Sequence, residues 1–337
     1  MFFFGNRKNL LRKRDGAEAP SPVYAKGSKF KIAGKNAGDF IFENFTRFFA
    51  FFLLILVIVM VYEMYTKSVP SIHKFGWAFI KNTKWDPVQD EFGALPYIFG
   101  TLYSSFIALV IALPLSIGIA IFLSEYAPKW LEQPVSLLVE LLAAIPSIVY
   151  GLFGIFVMTP WLREHVEPYL GDHLGFLPLF KGAPYGFGML AAGLILTLMV
   201  LPIIASISRD VMKAIPGTIR EAAFALGSTK WEMIKVVLSS AKSGILGATL
   251  LGLGRAVGET MAVTMVIGNR AEISFSLFDP GHTMASVLAN EFTEATSDIY
   301  VSSLIEIALL LFVMTVILNA IARFIVWRVT NKFSVVN

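Results

Sequence analysis

The chain has no cysteine among its 337 residues. A disulfide scaffold and the Cys and Cys/His zinc sites are therefore excluded. Charge is the second shortage. Asp, Glu, Lys and Arg make up 15% of the residues, where an average soluble domain has about 25%, so a soluble chain of this length could not cover its surface. ATP-binding signatures are missing as well. The glycine-rich run Gly252–Thr260 has no lysine and lies inside an apolar segment, whereas a phosphate-cradling loop needs G-x₄-G-K-[S/T] after a strand. The four histidines, His73, His165, His173 and His282, show no metal-ligand spacing and are expected to be solvated loop residues. What is present is apolar: 56% hydrophobic residues, 29 of them Phe, and a mean hydropathy of +0.68. Disordered chains are poor in aromatics and rich in charge. The composition is that of a polytopic membrane protein.

A membrane helix needs about 20 mostly apolar residues. Six segments qualify: 47–66, a run within 92–124, 133–162, 182–208, 243–269 and 299–322. They lack the alternation of barrel strands, and backbone groups in lipid must be satisfied within the segment, so helices are expected throughout. Pro114, Pro146 and Pro202 are expected as kinks within the second, third and fourth spans. Glu140 and Glu306 read as buried carboxylates near span ends. Trp77, Trp85, Trp130, Trp161 and Trp327 read as interfacial anchors.

Lysine and arginine are unevenly divided between the two sides. With six spans, 20 of the 28 fall on the side of both termini and 7 on the other, while Arg255 lies within the fifth span. The positive-inside rule places both termini in the cytoplasm. Residues 1–38 read as a basic cytoplasmic tail without the order of a cleavable signal peptide. Residues 39–92 read as the first span and an outer loop. A transmembrane core follows over 93–330, with a cytoplasmic loop at 209–242, and then a short cytoplasmic end at 331–337.

The loop at 209–242 has internal structure. Pro216-Gly217 marks a turn. Thr218 with Glu221, and Thr229 with Glu232, fit two capping boxes, and Gly227 between them is a helix stop. Two short helices at an angle are expected, the second running towards Leu238. The first presents the small residues Ala222, Ala223 and Ala225, which let another protein's surface come close.

The fifth span carries Arg255 and Glu259. A central arginine costs roughly 2.5–3.5 kcal/mol on insertion scales, and intramembrane charges mark functional sites by default. Four residues apart on a continuous helix, the two share a face. Gly247, Gly252, Gly254 and Gly258 remove bulk around them, and Gly254-x₃-Gly258 fits a close-packing motif. Thr260 and Thr264 add hydroxyls. Two readings stand side by side: a structural ion pair locking two helices, and a guanidinium beside an anion pathway with Glu259 holding it in place.

These residues carry a resemblance. Glu221-Ala222-Ala223 with Gly227, before the penultimate span, resembles the EAA loop of ABC importer permeases. That loop's usual closing proline is absent here, since Leu238 is followed by Ser239. The run Gly252–Val263 with Ile267-Gly268-Asn269 is similar to the permease of phosphate importers, the PstC type. So are Glu140–Ser147 with Tyr150-Gly151, and Thr283-Met284-Ala285 with Ala289–Phe292. The resemblance covers roughly residues 96–328.

It implies a type I ABC importer permease bundle: a six-helix, all-α protein of the bacterial inner membrane. It also implies a second, homologous permease (PstA type), a dimer of ATPase subunits (PstB type) and an extracytoplasmic phosphate-binding protein (PstS type). Arg255, Glu259, Thr260 and Thr264 would line the substrate path. Glu221, Ala222, Ala223 and Gly227 would couple to the ATPase. The chain itself is expected to be non-catalytic and to bind no cofactor, with ATP and Mg on the partner ATPase. The rivals are a permease of the same fold for another oxyanion (sulfate, molybdate or a phosphonate), an anion channel working alone, and an intramembrane enzyme using Glu259 or Glu140, for which no convergent nucleophile or metal ligands are visible.

Overall fold

The computed structural model describes residues 37–331. All but the last two positions of the basic tail expected over 1–38 lie outside them, as does all but the first position of the expected end at 331–337. Among the described residues every long element is a helix, with only two isolated bridges, Asp86 with Glu91 and Gly268 with Gly281.

Contacts divide the chain at Ile58-Val59, inside the first helix, α1 (Ala37–Phe75). The part of α1 before that division is rich in exposed phenylalanine, with Phe45 edge-on to Phe49 and Phe48 stacked on Phe52. Arg47 pairs with Glu43 one turn back. This stretch is apolar all round, as a helix facing hydrocarbon is.

After the division, the last part of α1 is followed by α2 (Leu95–Tyr126), α3 (Lys129–Ala144), α4 (Ser147–Leu174) and α5 (Met189–Lys213). Then come α6 (Gly217–Ala225), α7 (Lys230–Val257), α8 (Met261–Val266), α9 (Met284–Glu291) and α10 (Asp298–Asn331). Among the described residues, five helices are long and apolar enough to cross a membrane. The pair α3 and α4, bent by 93°, makes a sixth crossing if counted as one span.

That bend corrects the expected third span. Pro114 and Pro202 sit inside continuous helices, but at Pro146 the helix breaks. Ile145 turns to an extended backbone (φ −64°, ψ 129°), and Pro146 starts the next helix. A residue before proline is pushed out of the α region, and proline lacks the N–H that would continue the ladder.

The expected fifth span is corrected too. The capping box at Thr229 and Glu232 forms on both sides, but the helix it opens does not end near Leu238. It runs unbroken for 28 residues to Val257. The chain leaves the helix at Gly258 and re-enters one at Met261. The other expected box is absent. Pro216 precedes α6 and no side chain caps it, so Thr218 plays no such part. Gly227 is the elbow as expected, with φ +81°, a conformation that glycine adopts without strain.

The core is built on α5, which packs against α2 and α7. Ile107, Ala108 and Ala112 of α2 meet Ile195, Leu196, Met199 and Val200 of α5, with Ala248 and Ala256 of α7. Small residues set the approach, as expected where lipid removes the hydrophobic drive between helices. A Cβ on Gly193 would lie 2.4 Å from Ile107, and one on Gly252 would lie 2.7 Å from Val200. Gly252 therefore makes the close crossing. Gly254 has open space around it within this chain.

Candidate functional site: two broken helices and a half-open arginine

The two helix breaks are packed together through the segments that follow them. A Cβ on Gly151 of α4 would lie 2.4 Å from Met265 Sδ and 3.2 Å from Ala262 Cα of α8, and one on Gly154 would lie 2.5 Å from Val266. Glycine at these two positions lets α8 lie directly on α4.

Arg255 lies in the last turn of α7, where the carbonyl end of the helix dipole favours a cation. Glu259 stands in the gap before α8, and its Oε1 accepts a hydrogen bond from the Ala262 N–H at 3.3 Å. Arg255 Nη2 and Glu259 Oε2 are 3.7 Å apart. That is an ion pair, but longer than a hydrogen bond. The burial is lopsided: the glutamate side chain is 6% exposed and the arginine side chain 42%. A guanidinium has five N–H donors, and among the described residues none of them makes a hydrogen bond. The pair therefore holds the guanidinium by charge while its donors stay open.

Thr260 is half-buried, its hydroxyl donating to the Gly258 carbonyl at 3.4 Å. The Thr264 hydroxyl donates to the Thr260 carbonyl at 2.7 Å, which commits its proton locally. The structure thus gathers Arg255, Glu259 and Thr260 at one break, with Thr264 a turn further on.

Tyr150, part of the Tyr150-Gly151 pair that carries the resemblance, has no role that the sequence assigned. Its hydroxyl donates to the Leu142 carbonyl at 2.8 Å, the carbonyl that loses its helical donor because residue 146 is proline. The signal was there in the sequence, as a tyrosine four residues after the helix-breaking proline. A cavity of about 300 Å³ lies beside the break, lined by Leu142, Ile145, Val149, Tyr150, Phe153 and Leu198.

The loop carrying α6 is two-faced. Glu221, Ala222 and Gly227 are exposed as expected. Ala223 is not; it is buried with Ala120, Met212, Met233, Ile234 and Val237. The exposed side carries larger apolar residues than the alanines alone suggested, Phe224 and the 87%-exposed Leu226. Arg220 on the buried side bonds Glu125 of α2. Neighbouring links join α3 to α5: Arg209 Nη2 to Glu140 Oε1 at 3.1 Å, and Lys213 to Glu132. Glu140 is therefore a half-exposed ion-pair partner, not a buried carboxylate. Glu306 is buried, as expected.

Two further expectations change. His282 is no solvated loop residue. It is buried against Tyr97, with Nδ1 2.6 Å from Ser286 Oγ, and burial pushes its pKa down to about 4. Trp85 packs edge-on to Phe92 and Tyr97, and its Nε1 donates to Glu291 Oε2 at 2.6 Å. Burial pushes that carboxyl's pKa up, opposed by the hydrogen bonds from Tyr300 and Trp85. Trp77, Trp130, Trp161 and Trp327 are exposed, as anchors would be.

The family model described as binding-protein-dependent transport system inner membrane component matches residues 116–331, the stretch holding both breaks and the α6 elbow. The chain belongs to this family of permeases. It is similar to the phosphate transport system permease protein PstC of Pasteurella multocida (strain Pm70), at 46% identity over 87% of this chain and 93% of that one. The same-named protein of Haemophilus influenzae is 48% identical over 77% and 83%. A probable PstC of Methanocaldococcus jannaschii is 38% identical over 77% and 85%. Among solved structures, the inward-facing MetNI methionine ABC transporter aligns over 68% of this chain and 91% of that chain, at 20% identity and a TM-score of 0.46. The permease is an all-α, multi-pass membrane protein and a component of a transport system.

Proposed function

We propose that this permease is the translocation subunit of an ATP-driven importer of inorganic phosphate, spanning the inner membrane with both termini in the cytoplasm. The observation that carries the reading is the Arg255 guanidinium, held 3.7 Å from a buried carboxylate with its side chain 42% exposed. Guanidinium forks match tetrahedral oxyanions through paired hydrogen bonds. The PstC relatives are named for phosphate transport.

In this reading the chain hydrolyses nothing. ATP and Mg are bound by a PstB-type ATPase dimer that receives the exposed side of α6, with Glu221, Ala222 and the Gly227 elbow, joined by Phe224 and Leu226. A PstA-type permease completes the pathway. A PstS-type binding protein delivers phosphate from the other side of the membrane. ATP closes the ATPase pair, the elbows move inward, and the bundle exchanges inward for outward access. Phosphate passes Arg255, with Glu259 keeping the guanidinium in place and Thr260 and Thr264 beside it.

Replacing Arg255 by Gln in the reconstituted complex is expected to abolish phosphate uptake while the subunits still co-purify. Normal uptake would leave the pair a structural one. Unaltered uptake in excess sulfate, molybdate or phosphonate separates phosphate from the other oxyanions.

A further inference from the structure

We infer that Arg220 is the positioning residue that makes the α6 elbow move as one body with α2 and α5. This rests on the reading of α6 as the ATPase-facing helix. The elbow helix has nine residues and buries only one of them fully, Ala223, an apolar side chain too small to hold it by itself. Arg220 lies one turn before Ala223 on the same face, away from the exposed Ala222, Ala225 and Leu226.

Its guanidinium makes five hydrogen bonds, one of them from Nε to Glu125 Oε1 at 3.3 Å. Nη2 donates to Glu125 Oε1 at 2.7 Å and Nε to Oε2 at 3.2 Å, at the end of α2. Nη2 also donates to the Met212 carbonyl at 2.9 Å, and Nη1 to the Ile215 carbonyl at 2.8 Å, at the end of α5. A carboxylate gripped by two nitrogens of the fork is fixed in direction as well as distance. The Met212 carbonyl lies in the last turn of α5, where helical donors run out, and it also accepts from the Ile215 N–H at 3.3 Å. Glu125 is 5% exposed and Arg220 21%, so water cannot replace either partner cheaply. Three elements thus meet on one planar group. Lysine could carry the charge but could not make the same fork.

The test uses the complete complex in proteoliposomes, with ATP hydrolysis and phosphate uptake measured in the same sample for Arg220→Lys and Glu125→Gln. Loss of this coupling is expected to lower phosphate imported per ATP by about tenfold, within the range of coupling between distant sites, while hydrolysis continues. An unchanged ratio, or uptake and hydrolysis falling in proportion, would overturn the inference. A second measurement needs no disabling variant. Spin labels at Thr218→Cys and Val110→Cys, in a chain with no native cysteine, should keep one narrow distance with and without ATP. A distance that shifts with ATP would overturn the clamp even if neither variant assembles. Absence of ATP-driven phosphate uptake by the unmodified complex is a different result and would sink the functional reading instead.

Discussion

Arg255 and Glu259 stand four residues apart, yet they do not share a helix. The carboxylate is turned into protein at the start of α8 while the guanidinium stays half open at the end of α7. The pairing was legible from the spacing, since two opposite charges in an apolar run have few other partners. The asymmetry of burial was not, because it depends on the break at Gly258 and on α4 packed over α8. Arg255→Lys should therefore be worse than conservative. It keeps the charge but loses the fork, and phosphate uptake should fall at least tenfold at equal amounts of assembled complex. His282 gives a second expectation at this scale. Its folded pKa is about 4 against an ordinary 6.5. Between those values the unfolded chain takes up a proton that the folded one does not, so stability falls as pH drops through that window and is complete above it. Thermal unfolding in detergent from pH 7 to pH 4.5 should show a steeper loss for the unaltered permease than for His282→Gln.

At the scale of elements, the long apolar runs announced helices, and six crossings can be counted once the bent pair is joined. Where the helices stop was harder to read. A proline within a membrane run is usually accommodated, and Pro114 and Pro202 are. At Pro146 the helix breaks, and the Tyr150 hydroxyl gives the Leu142 carbonyl a donor in place of the N–H that proline lacks. Pro146→Ala restores a ladder donor, and Tyr150→Phe removes the replacement. The first is expected to reduce uptake by straightening α3 into α4, and the second to destabilise the break by about 1 kcal/mol, the net worth of one hydrogen bond, since the Leu142 carbonyl still accepts from the Ile145 N–H; uptake assays and unfolding midpoints report them separately. The capping box at Thr229 was legible in four letters and forms as read. Thr229→Ala should cost about 1 kcal/mol, seen as a lower unfolding midpoint of the detergent-solubilised chain.

For the whole molecule, the exposed apolar surface divides by purpose. Phenylalanines before the division in α1 are exposed as a membrane helix requires, whereas Leu226 and Phe224 are exposed on a polar elbow where lipid is not the natural cover. Leu226→Glu is expected to leave membrane insertion intact and abolish co-purification of the ATPase subunit, with uptake lost in consequence; uptake persisting without any ATPase would favour the stand-alone channel. Composition alone settled that the chain crosses membranes, since a backbone in lipid must satisfy its own hydrogen bonds and only long apolar helices were on offer. Residue spacing settled where the charged pair and the elbow lie. Tertiary packing decided which side of each is open. It buried Glu259 and left Arg255 half free, turned Ala223 inward and Leu226 outward, and brought the two breaks together. Exposure is a property of what neighbouring helices cover, and no single helix carries that in its own sequence.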